Sequence, residues 1–240
     1  MKAVTMIMLT CSVSTFAVRL QWQRERKPAV KRSLGPLQVN RGQVTFDSEG
    51  NDNPNSIYFS RKPHVPSSAS GITIGRGYDL KLRKQSEVYN DLTNSDMSSS
   101  IAQKFSYGIG LKGDCAKNYL KAHNLENHII SHEEQKKLFY IAYDEIAADA
   151  KRLATKSDVQ RAYGVTNWAQ LNPSIKEIVV DLRYRGDYTP TTRRKIQRAV
   201  AANNLPLFTQ LMSDSTYWLT TIGVPRDRFQ RRVDALKKAG

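Results

Sequence analysis

Three polar side chains in a glycine-rich part of the chain have the chemical types needed for acid–base catalysis. Glu49 lies in the run FDSEGN, and Thr73 and Asp79 lie in the run GITIGRGYD. Hydrolysis of a glycosidic bond needs one carboxylic acid that stays protonated to donate to the leaving oxygen, and one ionised carboxylate that activates or positions water. Acidic residues beside glycine are also ordinary turn and cap residues. The residues alone therefore leave a catalytic and a structural interpretation open.

The segment that must position these residues is predicted to form a short helix or turn followed by a small sheet. Residues 44–80 are rich in Asn, Ser, Pro and Gly, and they contain short β-type runs at 57–59 and 71–75. Because side chains alternate between the two faces of a strand, Thr73 is predicted to point away from the two isoleucines that flank it. This alternation places the apolar pair inward and the hydroxyl outward.

The chain after about residue 101 has a helical pattern. Ser131 and Glu134 have the spacing of a capping box, and Asn172 precedes a proline at a first helical position. Apolar residues then recur at helical spacing. Four helices are predicted, over about 131–152, over 173–186, from Pro190 and from Pro225. Because strand signals precede helix signals, the predicted fold class is α+β, with a small sheet-bearing lobe and a larger helical lobe.

The first 43 residues are predicted to lie outside the folded domain, which is expected to span residues 44–240. Residues 1–18 combine Lys2 with an uncharged, mainly apolar stretch and small residues near its end, as in a secretory signal peptide. An unstructured N-terminus is the alternative interpretation. Residues 19–43 are expected to form a linker. Its first part, residues 19–32, contains six basic residues and one acidic residue. The expected location is secreted or periplasmic.

The charge of the chain indicates a polyanionic partner. The 240 residues include 37 Lys and Arg against 22 Asp and Glu, a formal net charge of +15. Residues 1–32 carry seven basic residues and one acidic residue, so residues 33–240 keep a net charge of +9. A hydrophobic content of 40% excludes a protein with many membrane spans. Charge alone does not choose among nucleic acid, an anionic membrane and an anionic cell-wall polymer.

Neither a cofactor nor a metal site is predicted. The glycines at 71, 75 and 77 do not fit GxGxxG, and no phosphate-loop Lys-Ser/Thr follows them. His128 and His132 are four residues apart, but the capping box places His128 before the helix, so the two do not form a pair of ligands on one turn. The two cysteines, Cys11 and Cys115, have no zinc-site spacing.

The glycine-rich segment resembles a known family. Glu49-Gly50 followed by residues 73–77, TIGRG, resembles the E-G…T-I-G-x-G signature of phage-type lysozymes. Thr73 with Asp79 six residues later resembles the pesticin-like lysozymes. The predicted helices fit the same pattern, so the resemblance covers roughly residues 44–240. It implies a two-lobed fold with an active-site cleft between the lobes.

The resemblance also implies roles for individual residues. Glu49 would be the general acid, Asp79 would hold or deprotonate the attacking water, and Thr73 would help to orient it. The commoner phage enzymes have their second acid where this chain has Ser67, so that role passes to Asp79. Saccharide-binding side chains are implied at the end of the 173–186 helix, namely Tyr184, Arg183 and Arg185. Charges that complement a helix C-terminus are the alternative interpretation of the two arginines.

The implied function is hydrolysis of the β-1,4 bond between N-acetylmuramic acid and N-acetylglucosamine in peptidoglycan. The expected partners are glycan strands, the anionic envelope surface and an immunity protein, and the domain is expected to act as a monomer. A lytic transglycosylase on the same bond is one alternative, since it needs only the glutamate. A basic nucleic-acid-binding protein is another, with residues 193–195 and 226–232 as its candidate contacts, although no nucleic-acid motif is present and no such partner is expected.

Overall fold

The computed structural model describes residues 37–240. The expected export segment, residues 1–18, and most of the expected linker lie outside the described residues. Residues 37–41, at the end of that linker, contact the domain. The Asn40 N–H donates to the Tyr140 hydroxyl at 2.8 Å, and Arg41 pairs with Asp144 at 2.5 Å. The packed part of the chain therefore begins before residue 44.

Residues 37–240 form a mainly helical α+β fold with one two-stranded antiparallel sheet. The elements are α1 (Gln43–Ser48), β1 (Thr73–Ile74), β2 (Tyr78–Asp79), α2 (Gln85–Asn94), α3 (Ser99–Ser106), α4 (Gly113–Ala122), α5 (His132–Ala154), α6 (Ser157–Tyr163), α7 (Pro173–Arg185), α8 (Pro190–Ala201), α9 (Leu205–Met212), a π-helical segment (Thr216–Thr221) and α10 (Arg226–Ala239). In the described part of the chain, no helix is both long enough and apolar enough to cross a membrane.

The predicted helix boundaries are confirmed where the sequence carries capping signals. At the start of α5, the Ser131 Oγ accepts from the Glu134 N–H at 3.1 Å, and the Ser131 N–H donates to the Glu134 carboxylate at 2.6 Å. The Asn172 side chain accepts from the Ser174 N–H at 2.9 Å, and α7 ends at Gly186, whose φ is +90°. These caps satisfy terminal N–H groups from within a few residues, so local sequence is enough to predict them.

The small sheet is shorter than the sequence indicates. Each strand has two residues, with Thr73 opposite Asp79 and Ile74 opposite Tyr78. The prediction of a strand at 57–59 is wrong. This segment forms turns, and its β pairing is limited to an isolated bridge between Asn51 and Phe59. Ile57 is 90% exposed, so this run has no core to pack against.

Two hydrophobic clusters hold the fold together, and α5 contributes to both. Leu138 and Ala142 pack in the cluster that contains the sheet and helices α2 to α4. Phe139 and Tyr143 pack in the cluster that contains α1 and helices α7 to α10. Residues four apart lie on one side of a helix, so these two pairs give α5 two buried sides. Tyr184 of α7 also packs against both clusters.

Candidate functional site

Glu49 ends helix α1 at the edge of an open pocket. Its N–H donates to the Thr45 carbonyl at 3.0 Å, so it caps the helix as an ordinary C-terminal residue would. Its side chain is 22% exposed and lines a pocket of about 630 Å³ together with Tyr58, Arg228 and Arg231. The backbone of this residue therefore has a structural role, and its carboxylate remains accessible to a ligand.

The Glu49 carboxylate is one end of a buried network of charges. Arg228 Nη1 donates to Glu49 Oε1 at 2.6 Å, and its Nη2 donates to Asp181 Oδ1 at 2.6 Å. Asp181 is completely buried, and it also accepts from the Thr45 hydroxyl at 2.9 Å and from Arg232 Nε at 2.6 Å. One guanidinium group thus holds the accessible carboxylate and the buried one together.

The pKa values of the two carboxylates in this network shift in opposite directions. Burial raises the pKa of Glu49 above its ordinary value and outweighs the opposing effect of Arg228, while the negative charge of Asp181 raises it further. Burial also acts to raise the pKa of Asp181, but Arg232 and Arg228 outweigh it, so the pKa of Asp181 lies below its ordinary value. Glu49 and Asp181 share one arginine, but their pKa values shift apart. They are therefore suited to different tasks, Glu49 as an acid and Asp181 as a fixed charge.

The sheet places Thr73 and Asp79 on the same face. They are directly opposed across the strand pair, and residues in that position project to one side with Cβ atoms about 5 Å apart. Ile72 and Ile74 are fully buried, as predicted, but Thr73 is buried too, so the predicted outward position of its hydroxyl is wrong. Thr73 is 6% exposed, so only a small part of the residue reaches solvent. Its hydroxyl has no hydrogen-bond partner within residues 37–240.

Asp79 lines a second pocket of about 530 Å³, next to Gly77, Leu82 and Arg83. Its Oδ1 accepts from the Lys81 N–H at 2.7 Å, so the carboxylate also stabilises the turn that follows the strand. The second carboxyl oxygen is left without a hydrogen-bond donor from the described residues. Asp79 therefore combines the turn role expected of such a residue with a carboxyl oxygen that can hold a water.

Arg76 and Tyr184 connect the sheet to α1, to the backbone that follows Glu49, and to α7. The buried Arg76 side chain donates from Nη1 to the Phe46 carbonyl of α1 at 2.5 Å and also to the Gly50 carbonyl beside Glu49. The Tyr184 hydroxyl donates to the Arg76 carbonyl at 2.7 Å. Burial raises the pKa of Tyr184, and the charge of Glu49 raises it further. The turn that joins β1 to β2 is thus held against both α1 and α7.

The two arginines beside Tyr184 are paired with other parts of the protein. Arg183 Nε donates to Asp149 at 2.5 Å. Arg185 donates to Asp187 at 2.5 Å and to the Gly223 carbonyl at 2.7 Å. Arg185 reaches the charge network of Glu49 indirectly, because Asp187 also accepts from Arg232, which pairs with Asp181. Of the three side chains expected to bind saccharide, Tyr184 is the one that contacts the turn of the sheet.

Neither Arg228 nor Asp181 was among the predicted site residues. The available signal was the spacing of Arg228 and Arg232, which are four residues apart on the side of α10 that also carries Phe229 and Val233. Arg228 is 6% exposed and Arg232 is fully buried. Both lie within the candidate nucleic-acid contacts at 226–232, and their burial against Asp181 excludes them from an exposed basic groove.

One group of three carboxylates lies close together within the described range, but an arginine side chain already binds between them. Glu87, Asp91 and Glu145 offer oxygens within 4.8 Å of one another. Arg83 donates to Glu87 at 2.7 Å and to both oxygens of Glu145, and it lies 3.6 Å from Asp91. The guanidinium group supplies the positive charge that these carboxylates need.

Comparison with known proteins gives a family without a known activity. Residues 42–233 match the model of the DUF8812 family, which is described as a domain of unknown function, and the chain belongs to that family. The match includes Glu49, Thr73, Asp79, Asp181 and Arg228. The curated proteins contain no match to this sequence.

Proposed function

We propose that this domain is a peptidoglycan hydrolase of the lysozyme type, which cleaves the β-1,4 bond between N-acetylmuramic acid and N-acetylglucosamine. The observation that carries the proposal is the Glu49 carboxyl, which is accessible from an open pocket and has a raised pKa. A general acid must be protonated near the working pH and must reach the leaving oxygen, and both conditions favour this residue.

In this proposal, Asp79 and Thr73 hold the water that attacks the sugar. Their opposed positions on one face of the sheet bring together a carboxylate and a hydroxyl that has no hydrogen-bond partner among residues 37–240, as two hydrogen-bonding groups on one water would require. Tyr184 ties the turn between their strands to the Glu49 side of the molecule. The two hydrophobic clusters would then be the two lobes, and the glycan would lie in a cleft between them.

Arg228 is proposed to keep Glu49 in place through the proton transfer. When Glu49 carries its proton, Arg228 remains neutralised by Asp181, to which it makes two hydrogen bonds of 2.6 and 3.2 Å. After Glu49 donates its proton, the new carboxylate is stabilised by the guanidinium at 2.6 Å. The charge that develops on the acid during the reaction is thus met by a cation already in position.

The remaining parts of the proposal rest on charge and on the resemblance to phage-type lysozymes. A net charge of +9 on residues 33–240 would concentrate the protein on a wall that carries peptide carboxylates and anionic polymers. We propose action in the cell envelope, as a monomer and without a cofactor, with an immunity protein as the binding partner in a producing cell.

The test is lysis of bacterial cells stripped of their outer membrane, followed as loss of turbidity. Glu49→Gln should retain the fold and lose at least about 10²-fold in rate, since it removes the transferable proton. Glu126→Gln is the matched control, because Glu126 is an exposed glutamate and makes no ion pair within residues 37–240. Full activity of Glu49→Gln would overturn the proposal.

The mass of the released disaccharide identifies the reaction. A hydrolase adds water across the bond, whereas a transglycosylase releases an anhydro-sugar lighter by one water. Anhydro products that persist in Asp79→Asn would replace the hydrolase proposal with the transglycosylase alternative.

A further inference from the structure

Tyr58 presents an aromatic ring to solvent in the wall of the pocket that contains Glu49. It is 68% exposed, and it lines this pocket together with Glu49, Arg228 and Arg231. A tyrosine so exposed contributes little to the core. An aromatic ring beside a proposed catalytic carboxyl offers an apolar face on which a ligand can stack.

The loop that carries Tyr58 is held in a defined shape. The Tyr58 carbonyl accepts from the Asn51 N–H at 3.0 Å, and the Tyr58 N–H donates to the Ser56 hydroxyl at 3.1 Å. The Asn51 side-chain amide donates to the same hydroxyl at 2.8 Å, and Ser60 Oγ donates to the Asn51 carbonyl at 3.0 Å. The ring is therefore presented from a backbone that is already ordered, which lowers the entropic cost of binding.

Gly50 sets this loop directly against Glu49. Its φ is +145°, and a Cβ at this position would lie 2.8 Å from the Ser60 Cβ and 3.0 Å from the Tyr58 carbonyl oxygen. Only a residue without a side chain lets the loop return this closely to the backbone that follows the glutamate. The position of Tyr58 relative to Glu49 is thus fixed by close packing at the intervening glycine.

The same pocket contains two polar groups from the first turns of α10. Arg231 Nη1 pairs with Asp227 Oδ2 at 2.6 Å, and the two side chains are 38% and 66% exposed. An exposed pair of this kind adds little to stability. Its remaining N–H groups and carboxylate oxygens are available for hydrogen bonds with a ligand.

We propose that Tyr58, Asp227 and Arg231 form a pyranose-binding subsite adjacent to Glu49. A pyranose ring has an apolar C–H face that stacks on the tyrosine, while its hydroxyl and acetamido groups need donors and acceptors at the edge. The guanidinium supplies donors to an acetamido carbonyl, and the carboxylate accepts from hydroxyls. This inference rests on the proposed function and names the residues that hold the sugar next to the acid.

The test compares Tyr58→Ala, Tyr58→Phe and Ile57→Ala in the full chain. The measurements are kcat/KM on purified peptidoglycan, and the affinity of the corresponding Glu49→Gln double variants for N-acetylchitotetraose, determined by calorimetry. Tyr58→Ala should lose on the order of tenfold in both, equivalent to about 1.4 kcal/mol, mainly through KM. Tyr58→Phe keeps the ring and should lose much less. Ile57→Ala, on the same loop and 90% exposed, should match the parent protein.

The outcomes separate this inference from the proposed function. If Tyr58→Ala keeps the wild-type kcat/KM and sugar affinity while Glu49→Gln is strongly defective, the subsite is overturned and the hydrolase proposal stays intact. A wild-type protein that does not cleave peptidoglycan would overturn both. Tyr58→Ala could also lose activity together with a lower melting temperature. If Tyr58→Phe shows the same loss of both, the result would contradict a stacking role and assign the effect to folding.

Discussion

The ion pair between Glu49 and Arg228 predicts a coupling energy that becomes smaller at mildly acidic pH. The pair can be measured with the single variants Glu49→Gln and Arg228→Met and with the double variant. In such a cycle, the non-additive part of the unfolding free energies isolates the interaction between the two side chains. Because both groups are poorly exposed, at 22% and 8% for their side chains, the interaction is only weakly screened by solvent.

The structure sets the expected size of this coupling. The closest atoms, Nη1 and Oε1, are 2.6 Å apart. Two unit charges separated by about 4 Å interact by about 4 kcal/mol at the effective dielectric constant of a protein surface. The interactions of Asp181 with each partner cancel in the cycle, so we expect a coupling of up to about 4 kcal/mol at pH 7.

The pH dependence distinguishes a proton donor from an ordinary salt bridge. The pKa of a structural salt-bridged carboxylate is lowered, so its coupling persists at pH 4. The pKa of Glu49 is raised, because burial outweighs the effect of Arg228, so its carboxyl is largely protonated at pH 4. The coupling should therefore fall to the value of a hydrogen bond between a charged and a neutral group.

Urea unfolding at pH 7 and pH 4 provides the measurement. Arg228→Met alone should cost about 3–5 kcal/mol, because it removes a partner from a buried ion pair. If that variant is unfolded at pH 4, Arg228→Gln takes its place in the cycle, because it also removes the charge but keeps hydrogen-bonding groups. An equal coupling at pH 4 and pH 7 would refute the assignment of a raised pKa to Glu49, and a coupling below about 0.5 kcal/mol at pH 7 would refute the ion pair itself.

Three further predictions concern the second carboxylate, the turn and the buried aspartate. Asp79→Asn should lower the rate of peptidoglycan hydrolysis by about 10²–10⁴-fold in a turbidity assay, and a rate near that of the wild type would exclude it from the reaction. Gly77→Ala should destabilise the protein by about 1–3 kcal/mol more than Gly110→Ala in thermal unfolding, since both glycines have positive φ but a Cβ at Gly77 would lie 2.7 Å from the Tyr184 hydroxyl and one at Gly110 meets nothing within 4 Å. The lowered pKa of Asp181 contributes stability that is present above the unfolded pKa of about 4 and is lost as the pH falls through the folded value. Asp181→Asn should lack this part of the acid-induced loss. In urea unfolding, the difference in unfolding free energy between wild type and Asp181→Asn should therefore shrink from pH 6 to pH 3.

Local signals in the sequence were sufficient for the long helices. Helices α5 and α7 begin where Ser131 and Asn172 predict them, and α7 ends at Gly186. Capping, proline placement and apolar spacing act over a few residues, so the sequence expresses them directly. The burial of the two isoleucines that flank Thr73 was predicted from the same kind of local pattern. The predicted strand at 57–59 failed because its apolar residues have no sheet or core within reach, which strand propensity does not register.

The composition of the candidate site depended on contacts between distant parts of the chain. The sequence by itself determined the fold class, the main helices and the candidate residues Glu49, Thr73 and Asp79. The tertiary structure alone decided that Arg228, 179 residues away, donates to Glu49, and that Asp181 lies buried between Arg228 and Arg232. Sequence spacing gives no information on such pairs, because they form only when α1, α7 and α10 pack together. The protonation of Glu49 follows from that packing, since burial and the neighbouring charges set its pKa.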